Sequence, residues 1–212
     1  MHIKQLKIRL TFTEELLGTL PNQDEIYREF IASKSPDAST IEEEVEAIGV
    51  DGVVEKGITV FPRNKSGNPF LYDYQIKGFF KDSCGMLARV AAKDANGKKI
   101  KTANESVKIT AYKKVIDGLV FVLPREIPLS LPDNNSIGVC QRPLRAQTAQ
   151  GERVALAISE TAPAGTQVEF TVKLLSDEHE AAVKEWLDYG ALRGIGQWRN
   201  SGKGRFEWEE VE

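Results

Sequence analysis

Cysteine, histidine and methionine are scarce in this 212-residue chain, with two of each. Cys84 and Cys140 stand too far apart for a redox pair or a metal-ligand spacing, and only His2 and His179 could join them. Zinc needs four such ligands in short, regular spacings, so a zinc site is not expected. So few cysteines also rule out a disulfide framework and point to a reduced, cytoplasmic setting. No apolar run is long enough to span a bilayer. The opening Met-His-Ile-Lys-Gln-Leu-Lys-Ile-Arg-Leu alternates apolar and charged residues and lacks a signal-peptide core. No Walker-type phosphate cradle is present. Excess positive charge is missing too: 28 basic residues face 31 acidic ones, a net charge of −3. That excludes a general basic coat for nucleic acid.

What the chain does have is unevenly spread. Asp24 to Glu55 and the tail Glu207 to Glu212 are acid-rich, and Lys77 to Lys114 is rich in lysine. The sharpest concentration is Ala191-Leu-Arg-Gly-Ile-Gly-Gln-Trp-Arg-Asn-Ser-Gly-Lys-Gly-Arg-Phe206, with four glycines, four cations, one Trp and one Asn. Glycine permits positive φ and close backbone approach. Arg193, Arg199, Lys203 and Arg205 can neutralise phosphates, and Trp198 offers a face for a base.

The pattern of apolar residues predicts an α+β fold. Ile3 to Thr13 alternates as a half-buried strand. Helices are expected over 22–33 and 40–48, a short strand at 58–62 and a turn at Asn64 to Asn68. Asp73 to Val90 carries the helical stripe Ile76, Phe79, Phe80, Met86, Leu87 and Val90. Ala92 to Ser106 reads as an exposed loop. Val107 to Tyr112, and Gly118 to Leu123 with both faces buried, read as strands, with a short edge strand at Ile127 to Leu131. Gly151 to Ile158 and Thr166 to Leu175 read as two strands joined by a turn, followed by a helix at Asp177 to Tyr189 and a last strand at Gly204 to Glu210. Such interleaving with hairpins fits an antiparallel sheet with helices on one face, of which the ferredoxin-like arrangement is the common form. One domain spanning 1–212 is expected, with insertions around 22–57, including a helical segment, and 91–106.

These residues resemble a family. Gly194-Ile-Gly-Gln-Trp-Arg-Asn-Ser-Gly-Lys-Gly-Arg-Phe206 is similar to the glycine-rich loop that leads into the last strand of the RAMP superfamily, the repeat-associated backbone and processing subunits of CRISPR effector complexes. Ile3 to Gly18 is similar to that family's opening strand. Tyr74-Gln-Ile-Lys-Gly-Phe-Phe-Lys81 is similar to the helix start near which guide RNA is bound, with Lys81 where Arg is usual. Arg153 to Phe170 is similar to its Arg-led hairpin. The resemblance implies a ferredoxin-like (RRM/RAMP-like) fold, single-stranded nucleic acid (DNA or RNA) as partner, and head-to-tail assembly into a homo-oligomer or filament.

The expected binding residues are Lys77, Gly78, Lys81, Arg142, Arg145, Arg193, Trp198, Arg199, Asn200, Gly202, Lys203, Gly204 and Arg205. Gly202 and Gly204 are expected to turn backbone N–H groups toward phosphate. Lys77 and Lys81, one helical turn apart, are expected to line one groove with the glycine-rich loop. Arg142 and Arg145 are placed in a polar loop suited to phosphates and base edges; the resemblance implies for this segment the role of the protruding hairpin that separates bound nucleotides in RAMP backbone subunits. Stacking is assigned to Trp198, with Tyr74 or Tyr112 beside it. His179, at a helix start among acids, reads as a solvated first-turn residue. Asp73 and Asp82 lack the second carboxylate that metal-dependent cleavage uses. The expected function is largely sequence-independent, non-catalytic binding without a cofactor or membrane contact. The alternatives are a CRISPR backbone subunit or a phage mimic of one, and a metal-independent RAMP endoribonuclease.

Overall fold

A computed structural model describes residues 3–21, 58–90, 96, 104–132, 135–148 and 151–211. The segments expected to be helical at 22–33 and 40–48 lie outside the described residues, as does most of the expected 91–106 insertion.

The organising element is β1 (Lys4–Phe12). Leu6, Ile8, Leu10 and Phe12 alternate along it and are buried. A period of two places them all on one face. In chain order there follow β2 (Leu16–Leu17), β3 (Leu20–Pro21), β4 (Ile58–Val60), β5 (Phe70–Tyr72), α1 (Asp73–Leu87), α2 (Glu105–Lys108) and α3 (Tyr112–Leu119). Then come β6 (Val120–Leu123), β7 (Glu126–Pro128), β8 (Gly138–Thr148), β9 (Gly151–Ala162), β10 (Gln167–Leu174), α4 (Glu180–Arg193) and β11 (Phe206–Glu210).

The principal sheet has the order β11-β1-β10-β6, antiparallel throughout. Two split β-α-β units generate it. In one, β1 reaches β6 across α1 and α3; in the other, β10 reaches β11 across α4. This is the ferredoxin-like strand order, so the α+β expectation holds. Helices α1, α3 and α4 cover one face, where Ile76, Phe80, Ile116, Val183 and Trp186 meet Ile8, Leu10, Val120 and Phe170 in one buried cluster. The opposite face is a balanced charge ladder. Arg9 donates to Glu169 (2.7 Å) and to Glu209 (2.8 Å) across β1, β10 and β11. With Arg9 already committed to two acids, the centre of that face offers little to a polyanion.

The second sheet, ordered β2-β9-β4-β3 with β8 on β9, is built around a long antiparallel hairpin from Gly138↔Thr161 to Thr148↔Gly151. Its one parallel contact among the described residues is β4 on β9, Ile58 opposite Ile158.

Several expectations are corrected here. The stretch around Arg142 is not a polar loop but strand β8. Among the described residues β8 pairs only with β9, and such an edge strand tolerates the missing donor of Pro143. The strands on either side of Ala162–Gly165 do not pair with each other, because the chain changes sheets at that turn. Val107 to Tyr112 is not a strand. The Asn104 side chain accepts from Val107 N (2.9 Å) and Glu185 accepts from Glu105 N (2.8 Å), which starts α2. Ala111 then turns left-handed (φ 50°) into α3. The strand at 118–123 begins only at Val120 and is not buried on both faces, because Phe121 and Leu123 point outward. His179 is buried, not solvated, and its Nε2 has no hydrogen-bond partner.

Candidate nucleic-acid interface

The glycine-rich loop leaves α4 at Arg193 and enters β11 at Phe206. Its neck is pinched shut. Ile195 N donates to the Gly204 carbonyl (2.9 Å), and Gly204 N donates to the Glu15 carbonyl (2.8 Å). Gly204 has φ +71°, and a Cβ there would stand 2.0 Å from the Ile195 carbonyl oxygen. Only glycine fits such a crossing. Gly202 N is also taken, by the Arg199 carbonyl at 3.0 Å. The expectation that Gly202 and Gly204 offer their N–H groups to phosphate is therefore corrected: the first donor closes a turn within the loop and the second ties the loop to Glu15.

Beyond the neck, the loop projects its tip. Trp198 adopts a left-handed backbone (φ 54°), unusual for a bulky side chain, and leads into a single 3₁₀ turn, Arg199–Ser201. The indole is 40% exposed, whereas Trp186 is fully buried. Arg193 Nε (2.9 Å) and Arg199 Nη1 (2.7 Å) converge on one oxygen of Asp82, in α1. Arg193 Nη1 also lies 3.5 Å from Asn200 Oδ1. Partial burial works to raise the Asp82 pKa, but the hydrogen bonds and charges of the two guanidinium groups outweigh it and hold the carboxyl below its ordinary value. Two cations against one acid leave a net positive pocket floor. Lys203 is tied to Glu15 at 2.5 Å. Arg205 is exposed beside Gly202 and has no ion pair among the described residues.

Two hollows flank Arg199. One, of about 390 Å³, lies between α1 and the loop and is lined by Tyr74, Gln75, Gly78, Asp82, Gly196 and Arg199 among others. The second, of about 270 Å³, is lined by Arg193, Gly196, Trp198, Arg199 and Asn200. A Cβ on Gly78 would meet nothing within 4 Å, so this helix face is open. At the outer end of the first hollow, Tyr74 stacks on Tyr72 (ring centroids 5.1 Å apart, 17° between planes). Arg125 lies over both rings, at 5.2 and 5.3 Å, and pairs with Asp73. Phe79 and Gln75 secure the helix beneath, Gln75 donating to Thr19 Oγ1 at 2.7 Å.

Lys77 and Lys81 do not line this groove. They turn toward α3, where Lys81 pairs with Asp117 at 2.5 Å and Lys77 donates to the Asp117 carbonyl and lies over the Phe121 ring at 5.1 Å. The one-turn spacing does put the two lysines side by side, but α1 presents Gly78 and Asp82 to the glycine-rich loop instead. Tyr112 packs against the core cluster. Arg142 joins the site from the other side. It is 9% exposed, its Nη2 donates to Gln197 Oε1 (2.8 Å), and its guanidinium carbon lies 5.1 Å from the centroid of the Trp198 indole. Arg145, farther along β8 opposite Val154, has its side chain outside the described residues.

Sequence reasoning missed Tyr72, Arg125, Gln197 and the anchoring role of Asp82. Asp82 sits four residues after Gly78, the spacing that places both on one helix face, which was the available signal. Among the described residues no group of three or more His, Cys, Asp or Glu could hold a metal ion. Nor is any helix among them long and apolar enough to cross a membrane.

No protein-family model matches the chain, and no curated protein matches it. Among solved structures, the chain is similar to one in the "Cryo-EM structure of the Type III-B Cmr-beta bound to cognate target RNA". The likeness has a TM-score of 0.55 at 10% sequence identity and covers 99% of this chain and 60% of that one. This chain thus spans somewhat less than two thirds of that neighbour's length. At that identity the likeness is one of fold.

Proposed function

We propose that this protein binds single-stranded nucleic acid without chemistry, along a path from the Tyr72–Tyr74 stack, past Gly78 and Arg199, to Trp198. The observation that carries this reading is the tip of the glycine-rich loop. A left-handed backbone holds the Trp198 indole out in solvent directly beside a hollow floored by Arg193 and Arg199. A flat aromatic face next to convergent guanidinium groups is the arrangement that stacks a base while neutralising its phosphate. Stacking accepts any base, so little sequence preference follows. The RAMP-like order of segments and the likeness to a chain in an RNA-bound structure support the same reading. They also favour a place as a subunit within a larger nucleoprotein assembly, next to further copies of this chain or other subunits.

The test is a binding titration by fluorescence anisotropy with single-stranded RNA, single-stranded DNA and duplex at rising salt. Single strands should bind more tightly than duplex, with affinity falling steeply as salt rises. Weak, salt-insensitive binding equal for all three would overturn the reading. RNA incubated with the protein should stay intact with or without EDTA; cleavage abolished by His179→Ala would favour the endoribonuclease instead.

A further inference from the structure

We infer that Arg142 is the seat of a single backbone phosphate, buried at the junction of the β8–β9 hairpin and the glycine-rich loop. The inference rests on the single-strand-binding reading and assigns that site its one desolvated phosphate contact.

The argument begins with an imbalance. Arg142 is nine-tenths buried, and no carboxylate among the described residues pairs with it. Its Nη2 is used by Gln197, while Nε and Nη1 are buried and lack any acceptor. A buried cation is costly unless it is paired and hydrogen-bonded. Each other cation at the loop that is even partly buried has its acid: Arg193 and Arg199 share Asp82, and Lys203 holds Glu15. Arg142 alone among them has no acid, only the Gln197 amide oxygen and the Trp198 face, both weaker partners than an anion.

Its position is nonetheless fixed. Gln197 accepts from Arg142 through Oε1 and donates through Nε2 to the Gly18 carbonyl at 3.1 Å. Arg142 is thereby tied through one side chain to the turn between β2 and β3, and its guanidinium is oriented before any ligand arrives. A guanidinium held in place with donors to spare matches the geometry of a phosphodiester oxygen pair. Trp198 covers the guanidinium on one side and is exposed on the other. When a strand binds, the indole moves onto a base and the phosphate beside that base takes its place on Arg142. The chemistry recognised is a phosphodiester joined to a stackable base.

The test compares wild type, R142M and R142K on a single-stranded oligonucleotide with a phosphodiester backbone, and on the same oligonucleotide with neutral methylphosphonate linkages. On the charged strand, R142M should lose roughly tenfold or more in affinity, and its log–log salt slope should shrink by about one. R142K should keep the wild-type salt slope and recover only part of the affinity, since an ammonium lacks the fork. On the neutral strand, wild type and R142M should bind alike. Without nucleic acid, R142M should melt no lower than wild type, because the substitution removes an unpaired buried charge. Equal affinity and salt slope for R142M and wild type on the charged strand would overturn the phosphate seat while leaving the single-strand reading intact. So would an equal loss on charged and neutral strands, which would mean that Arg142 only props up Trp198. Failure of the wild type to bind any single strand would overturn both readings.

Discussion

Gly190, on the last turns of α4, presses so closely on Phe206 that a Cβ at position 190 would lie 2.0 Å from the Phe206 ring. The ring has nowhere to go. Phe206 is fully buried and packs edge-on against Phe12 (6.0 Å between centroids) and Phe79 (5.3 Å). This contact sets how near α4 sits to the sheet, and so where the glycine-rich loop is launched. Gly190→Ala should therefore cost about 3 kcal/mol, the upper end for overpacking. Chemical denaturation followed by circular dichroism checks it, and a loss under about 0.5 kcal/mol would show that the ring can yield.

Gly78 is the counter-example on α1. A methyl group there meets nothing within 4 Å, so Gly78→Ala should stabilise the helix by about 0.5–1 kcal/mol. If a nucleic-acid strand runs over this face, the same methyl group should weaken binding. Higher melting temperature with lower affinity is the expected pair of results. Unchanged affinity would move the strand off α1.

How much of this was readable beforehand depends on range. Strand β1, helix α1, helix α4 and the loop between Gly194 and Arg205 announce themselves by local periodicity and local composition. The switch between sheets at Ala162–Gly165 does not, since it is decided by which distant strand pairs with β9. Residues 107–112 look like a strand from their β-branched content, but the Asn104 cap and the reach of Glu185 from α4 override it. The site divides the same way. Trp198 and Arg199 stood out as a cluster in sequence, whereas the burial of Arg142 depends on a hairpin meeting a loop 55 residues away. Lys77 and Lys81 were legible as a pair, but the acid that claims Lys81, Asp117, lies on another helix.

Trp186 carries a second buried constraint. Its Nε1 donates to Ser106 Oγ at 3.0 Å, with both residues fully buried. Ser106→Ala removes the acceptor and leaves an indole N–H without a partner, at a cost of about 1–3 kcal/mol. Denaturant melts should show this loss undiminished at high salt, because no ion pair is involved. A loss that disappears at high salt would point to the neighbouring Glu185 instead.

The Asp82 cluster should give stability a pH signature. The carboxyl's folded pKa lies below its ordinary value, so the unfolded chain takes up the proton first as pH falls. The ion-pair contribution is complete above the ordinary carboxylate value, about 4, and is lost as pH drops through the lowered folded value. Asp82→Asn should destabilise the protein at neutral pH, and the gap from wild type should close in acid. A constant gap would mean that the carboxylate stays uncoupled from Arg193 and Arg199. In binding assays the same variant tests whether Asp82 holds the arginines in place or competes with phosphate for them: affinity falls in the first case and rises in the second.

The two thiols should differ sharply in reactivity. Burial pushes the Cys84 thiol up to about 11, with the Ser106 side chain opposing the shift and Glu185 adding to it. Cys84 is fully buried, whereas Cys140, on the edge strand β8, is partly exposed. The thiolate is the reacting species, so both factors slow Cys84. With iodoacetamide at pH 8, mass spectrometry should find Cys140 alkylated and Cys84 untouched until denaturant is added. Because Cys140 lies near the Lys203–Glu15 pair at the loop's neck, alkylation there also reports on the site. A bound strand that covers the neck should protect Cys140 and leave the slow rate at Cys84 unchanged. Equal labelling with and without a saturating strand would confine the nucleic acid to the Tyr74–Trp198 side of the loop.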